Sequence, residues 1–110
     1  MATQPQSAAR LNFGPFEADV PAGELRRNGV RVRLSGQPLQ ILLILLAHPG
    51  EVVTREQLLR SVWGYGEVPQ TRTVDQFIVR LRSKIETDPH QPRFLHTVYG
   101  DGYRLTPNSE

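Results

Sequence analysis

The sequence predicts an α+β fold: a core of three helices set between an amino-terminal antiparallel sheet and a carboxy-terminal β-hairpin. Three observations carry this prediction. In the segment Thr71 to Glu86, TRTVDQFIVRLRSKIE, residues Val74, Ile78, Leu81 and Ile85 recur at i, i+4, i+7 and i+11, the spacing of one buried stripe on a helix. Shortly after it, FLHTVYGDGYRL alternates and then turns at Asp101-Gly102, which predicts a hairpin. Near the front, Asn28-Gly29 divides the stretch Glu24 to Leu34, and both positions tolerate the positive φ of a two-residue hairpin turn.

Taken in order, residues 1–10, MATQPQSAAR, lack the basic start and apolar segment of a signal peptide and read as a disordered leader. The domain is expected over residues 11–106, with residues 107–110 a frayed tail. Leu11 to Phe16 and Glu24 to Leu34 read as short strands, with Pro21-Ala22-Gly23 and Asn28-Gly29 as reversals. Ser35 is placed to cap a first helix running to about His48. Pro38 is tolerated in its first turn, Leu39, Leu42, Leu43 and Leu46 face inward, and Pro49-Gly50 ends it. Thr54 followed by Gln57 fits a capping box, and Leu58, Leu59, Val62 and Trp63 give a second helix its apolar face up to Gly64. A loop from Gly64 to Gln70 leads to the third helix. Beyond it Asp88-Pro89 and Gln91-Pro92 break the chain. Phe94, His96 and Val98 then alternate with Leu95, Thr97 and Tyr99 before the return through Tyr103 to Leu105. Sheet, helix, helix, loop, helix and hairpin, in that order, make a winged helix-turn-helix.

Composition narrows the chemistry. At 110 residues the chain is expected to form one domain, long enough to bury about two-thirds of its unfolded surface. The absence of cysteine excludes disulfides, thiolate metal sites and a thiol nucleophile, and fits a reducing cytoplasm. The longest apolar run, Ile41 to Ala47, falls far short of the ~20 residues that cross a bilayer, so a soluble chain is expected. His48, His90 and His96 lack metal-ligand spacing, and Gly100-Asp101-Gly102 has no helix after it to make a phosphate loop. No nucleophile–base pair or cofactor motif emerges, so neither an enzyme, a cofactor nor a metal is expected.

The third helix carries the functional signal. Opposite its buried stripe lie Arg72, Gln76, Val79, Arg80 and Ser83, flanked by Thr73, Arg82 and Lys84. From Arg72 to Lys84 there are four basic residues against the single acid Asp75, a balance of +3 in a chain whose total is +2, so positive charge is expected to concentrate in this helix. A helix with guanidinium, amide and small apolar groups on its outward face suits the major groove of double-stranded DNA. Gln76 pairs in chemistry with adenine, an arginine with guanine or phosphate, and Val79 or Phe77 with a thymine methyl. A basic face is also what an ordinary solvated helix shows, so the capped helix before it and the hairpin after it carry the inference.

Three segments, PGEVVTREQLLRSVWG, RTVDQFIVRLRSKIE and PRFLHTVYGDGYRL, together with the sheet ahead of the first helix, resemble the OmpR/PhoB-type winged-helix DNA-binding domain over about Asn12 to Leu105. This is the output module of many bacterial two-component response regulators. The resemblance implies a four-stranded amino-terminal sheet, a third helix in the major groove and a hairpin wing at the minor groove. It further implies monomers that pair on tandem direct repeats in promoters to regulate transcription. It places Arg72, Thr73, Gln76, Phe77, Val79, Arg80, Arg82 and Lys84 at recognition-helix contacts. Thr54, Arg55 and Trp63 fall at backbone contacts from the second helix, and Thr97, Tyr99 and Arg104 in the wing. The Gly64 to Gln70 loop corresponds to the segment presented to RNA polymerase. Two positions depart from the usual pattern: Phe77, where a polar side chain is common, and the wing tip, where Tyr99 and Asp101 replace basic or neutral residues. These departures keep open a winged-helix protein-interaction module. A cationic face running from the helix to the wing favours DNA, and an exposed apolar patch around Phe77 and Tyr99 favours a protein. The phosphorylated receiver of a phosphorelay lies outside this sequence, which fits either an output domain or a stand-alone relative.

Overall fold

A computed structural model describes residues 10–64, 66 and 69–107. Two antiparallel sheets flank three helices. The first sheet has the order β1-β2-β3-β4, formed by β1 (Arg10–Phe13), β2 (Phe16–Asp19), β3 (Glu24–Arg27) and β4 (Val30–Val32). After it come α1 (Gly36–Ala47), β5 (Val52–Thr54), α2 (Arg55–Trp63) and α3 (Arg72–Ile85). The hairpin of β6 (Leu95–Val98) and β7 (Gly102–Leu105) closes the chain, and β5 pairs with β7 to give a second sheet of order β5-β7-β6.

The front of the chain corrects the sequence reading in two places. Leu11 to Phe16 is not one strand, because Gly14, at φ 55°, and Pro15 turn the chain so that Phe13 pairs with Phe16. A side chain on Gly14 would collide with the Phe94 ring. Arg10, assigned from sequence to a disordered leader, pairs with Asp19 in β1, while residues 1–9 lie outside the described residues. The same holds for 108–110 of the expected tail. Asn28 and Gly29 take φ values of 49° and 85°, the doubly positive turn their sequence predicts, and set Arg27 against Val30.

Phe13 and Phe16 stack at 4.9 Å, and Phe94 meets both edge-on at 5.3 and 6.3 Å, fastening the first sheet to the segment that enters β6. α1 packs on both other helices and on β7, so its buried arc is wider than expected. Ile41 and Leu45 are fully buried beside Leu39, Leu42 and Leu46, and Leu43 is only half-buried. Ser35 occupies the N-cap position without making a side-chain capping bond. The α2 capping box forms in full: Gln57 N donates to Thr54 Oγ1 at 3.1 Å, and Thr54 N donates to Gln57 Oε1 at 2.8 Å. In α3 the buried residues are Val74, Ile78, Leu81 and Ile85, the stripe that periodicity predicts. Among the described residues no helix is long and apolar enough to cross a membrane.

Candidate nucleic-acid interface

With its stripe in the core, α3 turns Arg72, Gln76, Val79, Arg80, Ser83 and Lys84 to solvent, while Thr73 is half-buried. Val79 is 66% exposed. The Ser83 hydroxyl donates to the Arg80 carbonyl at 2.6 Å, within its own helix. Phe77 does not stand free: its ring lies 5.8 Å from that of Trp63 in a stacked arrangement, and the Arg80 guanidinium sits 5.6 Å from its centre. Trp63 and Phe77 thus form a half-buried aromatic layer between the end of α2 and the middle of α3. Phe77 does not join Tyr99 among the exposed large apolar side chains.

Arg82 turns away from the outward face. Its guanidinium donates to the Leu95 carbonyl at 3.1 and 3.2 Å and to Thr97 Oγ1 at 2.8 Å, so two candidate contact residues, Arg82 and Thr97, hold each other and fix β6 against α3. Arg55 is likewise engaged, donating through Nε to Asp75 Oδ1 at 2.7 Å. The same oxygen accepts the Tyr103 hydroxyl at 2.5 Å, and the Arg55 and Arg82 guanidinium groups both approach the Tyr103 ring, 5.5 and 5.9 Å from its centre. Through these contacts the first residue of α2, the first turn of α3 and the central strand of the wing share one polar cluster.

The cluster shifts the ionisation of its members. Burial pulls the Asp75 carboxyl upward, but hydrogen bonds from Arg55 and Tyr103, aided by the Arg55 and Arg72 charges, prevail and hold it below its ordinary value. The bond to Asp75 in turn raises Arg55 against the opposing effect of desolvation. Burial, followed by the bond to Asp75 and its charge, pushes the Tyr103 phenol up to about 12. At neutral pH the cluster is therefore a carboxylate held by a guanidinium and a neutral phenol.

At the wing tip Tyr99 is 90% exposed beside the exposed Asp101. The turn takes its positive φ, 84°, at Gly100 rather than at Gly102. Gly102 serves another purpose, since a side chain there would strike the Val53 carbonyl and Thr54 Cα of β5. Arg104 is half-buried on β7 opposite Val52 and His96, and its Nε is buried with no hydrogen-bond partner among the described residues. Of the Gly64 to Gln70 loop, Gly64, Gly66, Pro69 and Gln70 are described, and the others lie outside the described residues.

Positive charge is not confined to α3. Arg26, Arg27, Arg31 and Arg33 are all exposed on the β3–β4 hairpin and its exit. Glu24 pairs with Arg26 at 3.0 Å and Arg31 at 4.0 Å, Glu17 stands opposite Arg26 in the β2–β3 register, and the Arg27 guanidinium lies 5.7 Å from the centre of the Phe16 ring. Three supporting residues escaped the sequence reading: Asp75, Tyr103 in its hydrogen-bonding role, and Glu86. The buried Glu86 carboxylate accepts the backbone amides of Arg93 at 2.6 Å, Phe94 at 3.0 Å and Leu95 at 2.8 Å. Asp75 had one visible signal, as the lone acid in a cationic helix. Nothing local marked Glu86.

The family profile described as "Transcriptional regulatory protein, C terminal" matches residues 29–105. The chain is 39% identical over 102 residues to the DNA-binding response regulator MtrA of Mycolicibacterium smegmatis, covering 93% of this chain and 45% of that protein. Against the transcriptional regulatory protein PrrA of Mycobacterium leprae the identity is 42% over 104 residues, 94% of this chain and 44% of the relative. It thus spans less than half the length of these relatives. Among solved structures, the response regulator DrrB of Thermotoga maritima, an OmpR/PhoB homologue, superposes with a TM-score of 0.81 at 36% identity, covering 89% of this chain and 44% of that one. The Klebsiella pneumoniae RstA DNA-binding domain, solved in complex with the RstA box, gives 0.80 at 29% identity over 90% of this chain and 98% of that one.

Proposed function

This chain belongs to the OmpR/PhoB-type family of carboxy-terminal DNA-binding domains of transcriptional regulatory proteins, and we propose that it binds specific double-stranded promoter sites with α3 in the major groove. The observation that carries this reading is the two-faced helix: one stripe sealed in the core, and Arg72, Gln76, Val79 and Arg80 exposed along the other side. A major groove about 12 Å wide admits one helix, whose exposed side chains meet base edges while flanking cations meet phosphate. The wing then lies toward the neighbouring minor groove. Asp101 adds no attraction for phosphate there, so Tyr99 and Arg104 are the wing's candidates for contact.

As part of the same proposal, the domain is the cytoplasmic output module of a two-component response regulator or a stand-alone relative. Monomers pair on direct repeats, and the Gly64 to Gln70 loop faces RNA polymerase. The length of the relatives supports control from a receiver domain elsewhere in a longer protein. A selection from genomic fragments at physiological salt, followed by titration of the recovered site, tests the core of the proposal. A shared motif, bound about tenfold more weakly by Arg80→Ala, is the expected result. Failure to enrich any motif, with weak binding indifferent to Arg80→Ala, would reject it and turn attention to a protein partner.

A further inference from the structure

We infer that Val79 determines part of the sequence specificity by packing against the 5-methyl group of a thymine, an inference that rests on α3 entering the major groove. Val79 is a branched apolar side chain, 66% exposed, in the middle of a cationic helix face. It contributes almost nothing to the core, and valine is a poorer helix former than the straight-chain residues. Its place therefore has no explanation within the isolated fold. Its neighbours on the outward ridge are Gln76, three residues earlier, and Ser83, four residues later, with Arg80 alongside.

The competing readers are removed by their own contacts. Phe77, the other apolar candidate, is half-buried against Trp63 and covered by Arg80. Arg82 is bound to Leu95 and Thr97, and the Ser83 hydroxyl is turned onto the Arg80 carbonyl. Arg72, Gln76, Val79, Arg80 and Lys84 remain exposed on the face, and Val79 alone of these is apolar. Within the major groove the one apolar feature of any base pair is the thymine methyl. Set against a guanine, adenine or cytosine edge, valine would cover donors or acceptors without replacing their bonds to water. Thymine is thus the base it favours, and cytosine, which lacks the methyl and presents an amino donor, is the pyrimidine it discriminates against.

The test uses the selected DNA site with each thymine replaced in turn by deoxyuridine, which removes only the methyl group. Wild type should lose about fourfold in affinity at one thymine per half-site, the value of one buried methyl. Val79→Ala and Val79→Ser should bind the original site more weakly and distinguish thymine from uracil at that position less, Val79→Ser not at all, with no loss of thermal stability in Val79→Ala. Uracil tolerated at every position by wild type, or a methyl preference that survives in both variants, would overturn the inference while leaving DNA binding intact. Failure to recover any specific site would instead defeat the proposed function itself, and this inference with it.

Discussion

The Tyr103 hydroxyl donates to Asp75 Oδ1 across the boundary between the wing and α3, on an oxygen that Arg55 also holds. Tyr103 is 3% exposed, whereas Asp75 and Arg55 keep part of their side chains in water, so the bond runs from the core toward the protein's outward face. At the far end of α3, Arg82 and Glu86 bind the backbone around Leu95. Tied near its start and near its end, the helix cannot swing independently of the wing. The two elements that the proposed binding mode sets in adjacent grooves are thereby held at one spacing, which would lower the ordering cost of binding.

Removing the hydroxyl alone should expose this tie. Tyr103→Phe keeps the buried ring and deletes one donor to a charged acceptor. Stability should fall by about 1–2 kcal/mol, below the upper range for such bonds because water reaches Asp75. Urea unfolding should show a lower midpoint with an unchanged slope. A midpoint equal to that of wild type would mean that the contact adds nothing to stability.

The same cluster predicts opposite effects at the two ends of the pH scale. Asp75 ionises at lower pH in the folded chain than its ordinary 3.8, so its contribution is complete above that value and is lost as pH falls through the folded value. Tyr103 is raised from 10.0 to about 12, so its contribution is complete below 10.0 and is lost as pH climbs through the folded value. Stability measured against pH should therefore fall less steeply below pH 4 in Asp75→Asn, and less steeply above pH 10 in Tyr103→Phe. Parallel curves for wild type and both variants would contradict this assignment.

How legible these features were depended on how local they are. The α3 stripe could be read because four residues of one element repeat at one period. In α1 the run LQILLILLA is apolar nearly all round, so periodicity could not select Ile41 and Leu45, which are buried because helices and a strand cover several sides. β5 is three residues long and has no period of its own; only its pairing with β7 makes it a strand. For Arg55 and Arg82 the charge was visible in the sequence, whereas their partners within the fold, 20 and 13 to 15 positions away, were not.

Glu86 illustrates such a hidden partner and allows a sharp test. Its carboxylate gathers three successive backbone amides that enter β6, and it is 7% exposed. Glu86→Ala strands the buried Phe94 and Leu95 donors with little access to water, at a cost of about 2–4 kcal/mol. That corresponds to a drop in Tm of roughly 10–20 °C for a domain of this size. Glu86→Gln should recover only part of the loss, because the amide keeps one acceptor oxygen and turns an NH2 toward a backbone donor. A thermal scan in which Glu86→Ala melts with wild type would show that the amides are satisfied without it.

Arg80 and Arg82, two residues apart on α3, should separate in their salt dependence. Arg80 is exposed on the outward face, so Arg80→Ala should reduce the slope of log affinity against log salt by about 0.9, the loss of one phosphate neutralisation. Arg82 gives its donors to Leu95 and Thr97 and contributes mainly by holding the wing. For Arg82→Ala we expect an unchanged slope, weaker binding, and a stability loss of about 1–2 kcal/mol as the Leu95 carbonyl and Thr97 lose their shared donor. A slope reduced as much in Arg82→Ala as in Arg80→Ala would show that the guanidinium leaves β6 and moves to phosphate on binding. The tie between α3 and the wing would then be broken in the complex, and the fixed groove spacing argued from it would not hold on DNA.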